Sequence, residues 1–161
     1  MKTLILGLGN DILCDDGVGI YVARELKKAL ADRKDIAVAE ASLAGLGLLD
    51  LFAGYEKAIV IDAIQTREGK AGEGYRLNSN DLTATRHTAS THNVNFASAL
   101  QLGNKLGLSL PTQIVIFAIE ASDVSTFSET CTPEVSKAIP KCVEMVMNEI
   151  SQRGIKDIAS G

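Results

Sequence analysis

Two adjacent carboxylates, Asp15 and Asp16, close a glycine turn that follows a short apolar run, Leu4-Ile5-Leu6. A third, Asp62, ends the apolar run KAIVID, Lys57 to Asp62. His92 stands in Ser90-Thr91-His92-Asn93, where a helical pattern begins. Acids at the carboxyl ends of buried strands lie where open α/β sheets bind ligands. Two carboxylates and one neutral imidazole form a two-oxygen, one-nitrogen donor set with open positions, which suits nickel or zinc. The same two carboxylates could work as an acid–base pair. Each residue also has a simpler reading. Asp15 or Asp16 can be the N-cap of the following helix, Asp62 can accept a cap or loop hydrogen bond, and His92 can be a surface histidine. His87, the other histidine, falls in a polar stretch and reads as solvated.

Two further chemistries are testable on the same turn. Cys14 precedes the acids, so a Cys14–His92 nucleophilic pair is conceivable, but nothing supplies the third, orienting group, and an incidental thiol is the simpler reading. Gly7-Leu8-Gly9 before a helix invites a dinucleotide site, with Glu40 as the ribose-binding acid. That fingerprint wants a third glycine where this chain has Ile12, and its helix would begin several residues too late. No G-x-S-x-G elbow is present, which disfavours a serine hydrolase.

The elements that must position these residues alternate. Leu4 to Leu8, Ile36 to Ala39, Lys57 to Asp62, Tyr75 to Leu77 and Gln113 to Ile119 read as strands, the fourth a short edge strand. From about Gly17 the period becomes helical, with Val18, Val22, Leu26 and Leu30 on one face. Leu48 to Phe52 is a short helix. Asn78 to Ser90 is polar and reads as a surface loop. A helix from Thr91 carries Val94, Ala97, Leu100, Leu102 and Leu106. The last helix starts at Thr132-Pro133-Glu134, carries Val135, Ile139, Val143, Val146 and Ile150, and contains Pro140, which should kink it or mark its true start. Alternating strands and helices predict an α/β fold, a mostly parallel sheet between two helical layers, with residues 1–161 as one domain.

Composition narrows the function. At 161 residues the chain can bury roughly 70% of its unfolded surface and needs no disulfide or metal to fold. Its 16 basic and 20 acidic side chains give a net charge of −4, which argues against nucleic acid. Three cysteines without a C-x-x-C motif suggest neither a disulfide framework nor a zinc finger, and fit a reducing cytoplasm. Met1-Lys2-Thr3 runs straight into the first strand, leaving no room for a signal peptide, and no apolar run is long enough for a membrane helix. No stretch reads as an exposed apolar stripe, so a monomer is expected.

At these residues the sequence resembles the hydrogenase maturation endopeptidases. The matching pieces are Gly7-Leu8-Gly9-Asn10 with Leu13-x-Asp15-Asp16-Gly17-Val18-Gly19, then Ile61-Asp62-Ala63, then Ser90-Thr91-His92-Asn93, in that order across most of the chain. The resemblance implies a five-stranded α/β sheet with helices on both sides. It implies nickel binding by Asp16, Asp62 and His92, with the same residues as the catalytic set of an aspartic-type peptidase. It implies a substrate: the large-subunit precursor of a nickel–iron hydrogenase, already loaded with nickel, from which a short C-terminal peptide is removed. The metal would be the precursor's own, although other divalent ions could occupy the site in the isolated protein. One piece departs. After its second strand the family usually carries an acid and a Gly-Gly-Thr-x-Gly-like turn, where this chain has Glu40-Ala41-Ser42-Leu43-Ala44-Gly45. That change keeps open a nickel-binding escort that holds the precursor without cutting it. Peptidyl-tRNA hydrolases share the G-L-G-N turn, and Thr85-Arg86-His87 is faintly similar to a later piece of theirs, but they follow the turn with Pro-Gly where this chain has Asp11-Ile12.

Overall fold

The computed structural model describes residues 2–42, 47–78 and 100–159, with side chains described as far as residue 152. Five strands form one sheet: β1 (Thr3–Leu8), β2 (Ile36–Ala41), β3 (Lys57–Ile64), β4 (Gly74–Asn78) and β5 (Gln113–Glu120). Their spatial order is β2-β1-β3-β5-β4. The first four in that order run parallel and β4 pairs antiparallel with β5 at one edge. β1 and β3 are neighbours, Gly7 opposite Ile61, so their carboxyl ends open on one crevice.

The strand period of two sorts the sheet into two cores. Ile5, Ile59, Ile61, Val115 and Phe117 face α1 (Val18–Ala29) and the long C-terminal helix. Leu4, Leu6, Leu8, Val60 and Ile116 face α2 (Gly47–Phe52), with Leu48 and Phe52 buried against them. A third helix, α3 over 100–105, packs Leu100 on that second face. Helices on both faces leave the middle of the central strands apolar on both sides, with the buried polar residues Lys57, Asp62 and Glu120 at or near the strand ends.

Helix α1 carries the expected stripe: Val18, Val22, Leu26 and Leu30 are all buried. It also approaches the sheet very closely. A Cβ on Gly19 would lie 2.3 Å from the Ile61 carbonyl oxygen and 2.6 Å from that of Leu8. Across the contact, a Cβ on Gly7 would lie 2.4 Å from the Gly19 carbonyl oxygen. Two glycines therefore let the helix sit on β1 and β3, fixing the turn between them.

Several expectations change in detail. Strand β3 continues two residues past Asp62, because Ala63 and Ile64 still pair with β5. β2 likewise extends to Ala41. The C-terminal helix α4 runs Pro133–Ala159 with Pro140 inside it, so Pro140 does not mark its start. On that helix Val135 and Val146 are fully buried, whereas Ile139, Val143 and Ile150 are partly buried. Leu102 and Leu106, expected on an apolar helix side, are exposed; Gly103 is the buried position between them. The expected loop over Asn78 to Ser90, beyond its first residue, and the helix start with Val94 and Ala97 lie outside the described residues.

Candidate active site

The turn after β1 is built so that its two acids take different roads. Gly9 adopts φ +143°, and a Cβ there would meet the Asp16 carbonyl oxygen at 2.0 Å, so the position demands glycine. The chain then folds into a 3-10 turn, Cys14–Gly17, entered by Cys14 at φ +51°. A non-glycine residue in that region costs on the order of 1–3 kcal/mol. The neighbouring hydrogen bonds hold it there: Cys14 N–H donates to the Ser128 carbonyl and Asp15 N–H to that of Asp123.

Asp15 points inward. Its carboxylate is fully buried and accepts hydrogen bonds from the main-chain N–H groups of Ser122, Asp123 and Thr132 and from the Thr132 hydroxyl, all within 2.7–3.0 Å. It ties the β5–α4 connection to the turn. Asp16 is part-exposed, and its Oδ2 accepts the Asn10 N–H at 3.0 Å. Neither acid caps α1, whose N-cap is Gly17 without any side-chain bond. The N-cap reading is thus corrected: the 3-10 turn separates both carboxylates from the helix end and each finds another donor.

Asp62 lies on the adjacent strand, buried, on the same face as Val60 and the α2 and α3 helices. Its Oδ1 accepts the N–H of Ala63 at 2.8 Å. The 3-10 turn that carries Asp16 is in contact with β3. The structure therefore brings Asp16 and Asp62 to the carboxyl ends of neighbouring strands. His92 lies outside the described residues, as does His87. Among the described residues, no three His, Cys, Asp or Glu side chains converge on one metal position.

Sequence reasoning missed two features of this edge. Glu120, the last residue of β5, is a further buried acid; its Oε1 accepts both the N–H and the hydroxyl of Thr66, at 2.9 and 2.6 Å. An acid directly after the β-prone run QIVIFAI was the available signal. Glu40, at the end of β2, is gripped by Arg24 through two 3.0 Å bonds, and Arg24 also reaches Asp11 at 3.0 Å. Those two carboxylates push the Arg24 guanidinium's pKa up. Arg24 lies over the Tyr21 ring, whose hydroxyl donates to the Asp11 carbonyl. The 16-residue separation between Arg24 and Glu40 hid this pairing from any local pattern.

The rival chemistries fare poorly. The close helix–strand packing of a dinucleotide site is supplied here by Gly19, and the space over Gly9 is filled by the Asp16 carbonyl rather than open to a pyrophosphate. Cys14 is buried, and desolvation together with the Asp15 charge raises its thiol pKa, the opposite of an activated nucleophile. Burial likewise pushes Cys131 and Cys142 up to about 12.

Comparison with known proteins finds relatives along nearly the whole chain. Hydrogenase 2 maturation protease of Escherichia coli K12 is 23% identical over 159 residues, spanning 98% of this chain and 96% of its own length. The hydrogenase expression/formation protein HupD of Thiocapsa roseopersicina is 21% identical over 156 residues, 96% of this chain and 70% of its own. Among solved structures, the hydrogenase maturating endopeptidase HybD from E. coli superposes with a TM-score of 0.81 at 23% identity, covering 96% of this chain and 94% of that one. HybD from Thermococcus kodakarensis gives 0.72 at 23% identity, with 92% and 98% covered. At such identities the structural likeness is one of fold. The sequence itself matches, over residues 20–149, the family described as HycI, hydrogenase maturation protease. That span is most of the chain, and the protein belongs to the hydrogenase maturation protease family.

Proposed function

We propose that this protein is an endopeptidase that removes a short C-terminal peptide from the nickel-loaded large-subunit precursor of a nickel–iron hydrogenase, acting in the cytoplasm as a monomer. The observation that carries the reading is the pair Asp16 and Asp62 at the carboxyl ends of adjacent strands, beside a cysteine too buried to attack. Two carboxylate oxygens from this pair fit a hard or borderline divalent ion but do not complete its coordination. His92 is the third donor we assign; the helix α3 that follows it in the chain packs on the face to which Asp62 belongs. Asp16, Asp62 and His92 would engage nickel that the precursor brings as part of the substrate, and the metal would polarise the nearby carbonyl as a Lewis acid.

The proton work then falls to this chain's carboxylates. Asn10 occupies one oxygen of Asp16, leaving Oδ1 without a protein donor among the described residues. Asp16 takes a proton from the attacking water and returns it to the departing amine, the aspartic-type arrangement. Asp62, buried and anchored by Ala63, holds position rather than exchanging with solvent.

Mass spectrometry of a nickel-loaded precursor, before and after adding the protein, tests this. The expected result is loss of one C-terminal peptide, abolished without nickel and with His92→Ala, and slowed at least ~100-fold by Asp16→Asn. An uncut precursor held in a stable complex overturns the peptidase reading in favour of an escort. The altered turn after Glu40 is the feature that would then explain it.

A further inference from the structure

We propose that the segment of the precursor to be cut docks as an added β-strand along the edge of β2 that no described residue pairs. This rests on the peptidase reading and goes beyond it by naming the surface that holds the substrate. β2 is an edge strand, and among the described residues it pairs only with β1. Its hydrogen-bond phase is set by two bonds: Thr3 N–H donates to the Asp35 carbonyl and Gly9 N–H to the Ala41 carbonyl. Main-chain groups alternate sides along a strand. Residues 35, 37, 39 and 41 therefore face β1, and Ile36, Val38 and Glu40 turn their N–H and C=O groups to the open edge.

Natural edge strands are usually blunted by proline, charged side chains or a bulge. β2, Ile36–Ala41 (IAVAEA), has no proline or lysine, and its one charge, Glu40, is neutralised by Arg24. Beside it runs a cleft of about 820 Å³, lined by Tyr21, Arg24, Lys27, Lys28, Val38 and Glu40 among others. An unpaired strand edge with a cleft alongside is the arrangement that captures extended peptides, main chain giving affinity and side pockets giving choice. Its carboxyl end leads to the Gly9 turn, so an added strand would be delivered to the crevice of Asp16 and Asp62. Charge selects the occupant. The two acids of the cleft are already paired, Glu40 with Arg24 and Glu25 with Lys28. Lys27 has no ionic partner among the described residues, so the docked segment carries an acidic side chain opposite it.

Hydrogen exchange and processing kinetics test this with the full-length protein and a nickel-loaded precursor. In the presence of saturating precursor, pulse-labelled amides of Val38 and Glu40 should exchange about tenfold more slowly, which is ~1.4 kcal/mol for the hydrogen bond each would gain. Val38→Pro removes an N–H that β1 does not use. It should raise KM about tenfold with kcat within twofold, and Lys27→Glu should raise KM severalfold. Should Val38→Pro fail to fold, the amide protection in the unaltered protein decides. Normal cleavage with unprotected Val38 and Glu40 amides overturns the docking and leaves the peptidase reading standing. Absence of cleavage by the unaltered protein overturns both.

Discussion

Asp15 and Asp16 are neighbours in the chain with opposite duties, and their substitutions should separate cleanly. Asp15 is buried among N–H and hydroxyl donors from the β5–α4 connection. An asparagine there would turn an NH₂ group toward those donors and remove the charge that strengthens them. Asp15→Asn should therefore destabilise the fold by about 3 kcal/mol, read as a lowered urea midpoint with unchanged slope. Asp16→Asn keeps an oxygen for the Asn10 N–H and should cost under about 1 kcal/mol in the same measurement, while removing the proton acceptor. A variant pair with the reverse outcome would show that the two acids have been given the wrong roles.

At the scale of elements, two contacts set the frame around the crevice. The first is glycine against carbonyl. Gly19→Ala would press a methyl group into the Ile61 and Leu8 carbonyls, which are backbone and cannot move aside. The expected loss is about 3 kcal/mol, seen as a lower thermal midpoint, and activity should fall with it because α1 carries Arg24 and follows directly from the Asp16 turn. The second is an ion cluster that ties α4 to the sheet. Glu149 accepts from Lys57 on β3 and from Arg76 on β4, each at 3.0 Å, with Lys57 almost fully buried. The Arg76 hydrogen bonds, then that of Lys57, hold the Glu149 pKa below the usual glutamate range. A lowered folded-state pKa means stability that is complete above the unfolded value, near 4.3, and is lost as pH falls through the folded one. Thermal melts taken from about pH 6 downward should show Glu149→Gln much less stable than the unaltered protein at the upper end. Removing one partner leaves Lys57 buried and unpaired, worth roughly 3 kcal/mol. The two curves should converge as the carboxylate of the unaltered protein protonates in acid.

At the scale of the whole molecule, charge and thiols give simple readouts. The net charge of −4 argues against a tRNA-handling relative of the same glycine turn, and no mobility shift with tRNA is expected even at low salt, where phosphate binding is strongest. The three cysteines are free, and each thiol pKa is raised by burial. Alkylation near pH 8 should be slow for all three in the folded protein and should become fast only on unfolding, with Cys142, inside the core, the most protected. No helix among the described residues is long and apolar enough to cross a membrane.

What the sequence determined by itself was everything carried by local period and local chemistry. Continuous apolar runs marked the four parallel strands, the short Tyr75-Arg76-Leu77 piece marked the edge strand, the 3.6-residue stripe of Val18, Val22, Leu26 and Leu30 marked α1, and Thr132-Pro133 marked the start of α4. The order of those elements implied neighbouring parallel strands β1 and β3, hence Asp16 and Asp62 on one edge. The tertiary structure decided what depended on residues far apart in the chain. Which of two adjacent acids turns inward was set by donors more than 100 residues away, at Ser122, Asp123 and Thr132. That Glu40 is held by Arg24, and that Glu120 is buried against Thr66, likewise depended on packing that no spacing in the sequence encodes. The edge of β2, unpaired among the described residues, is of the same kind. A strand's period shows which side chains alternate, but only its neighbours show which main-chain groups are left without a partner.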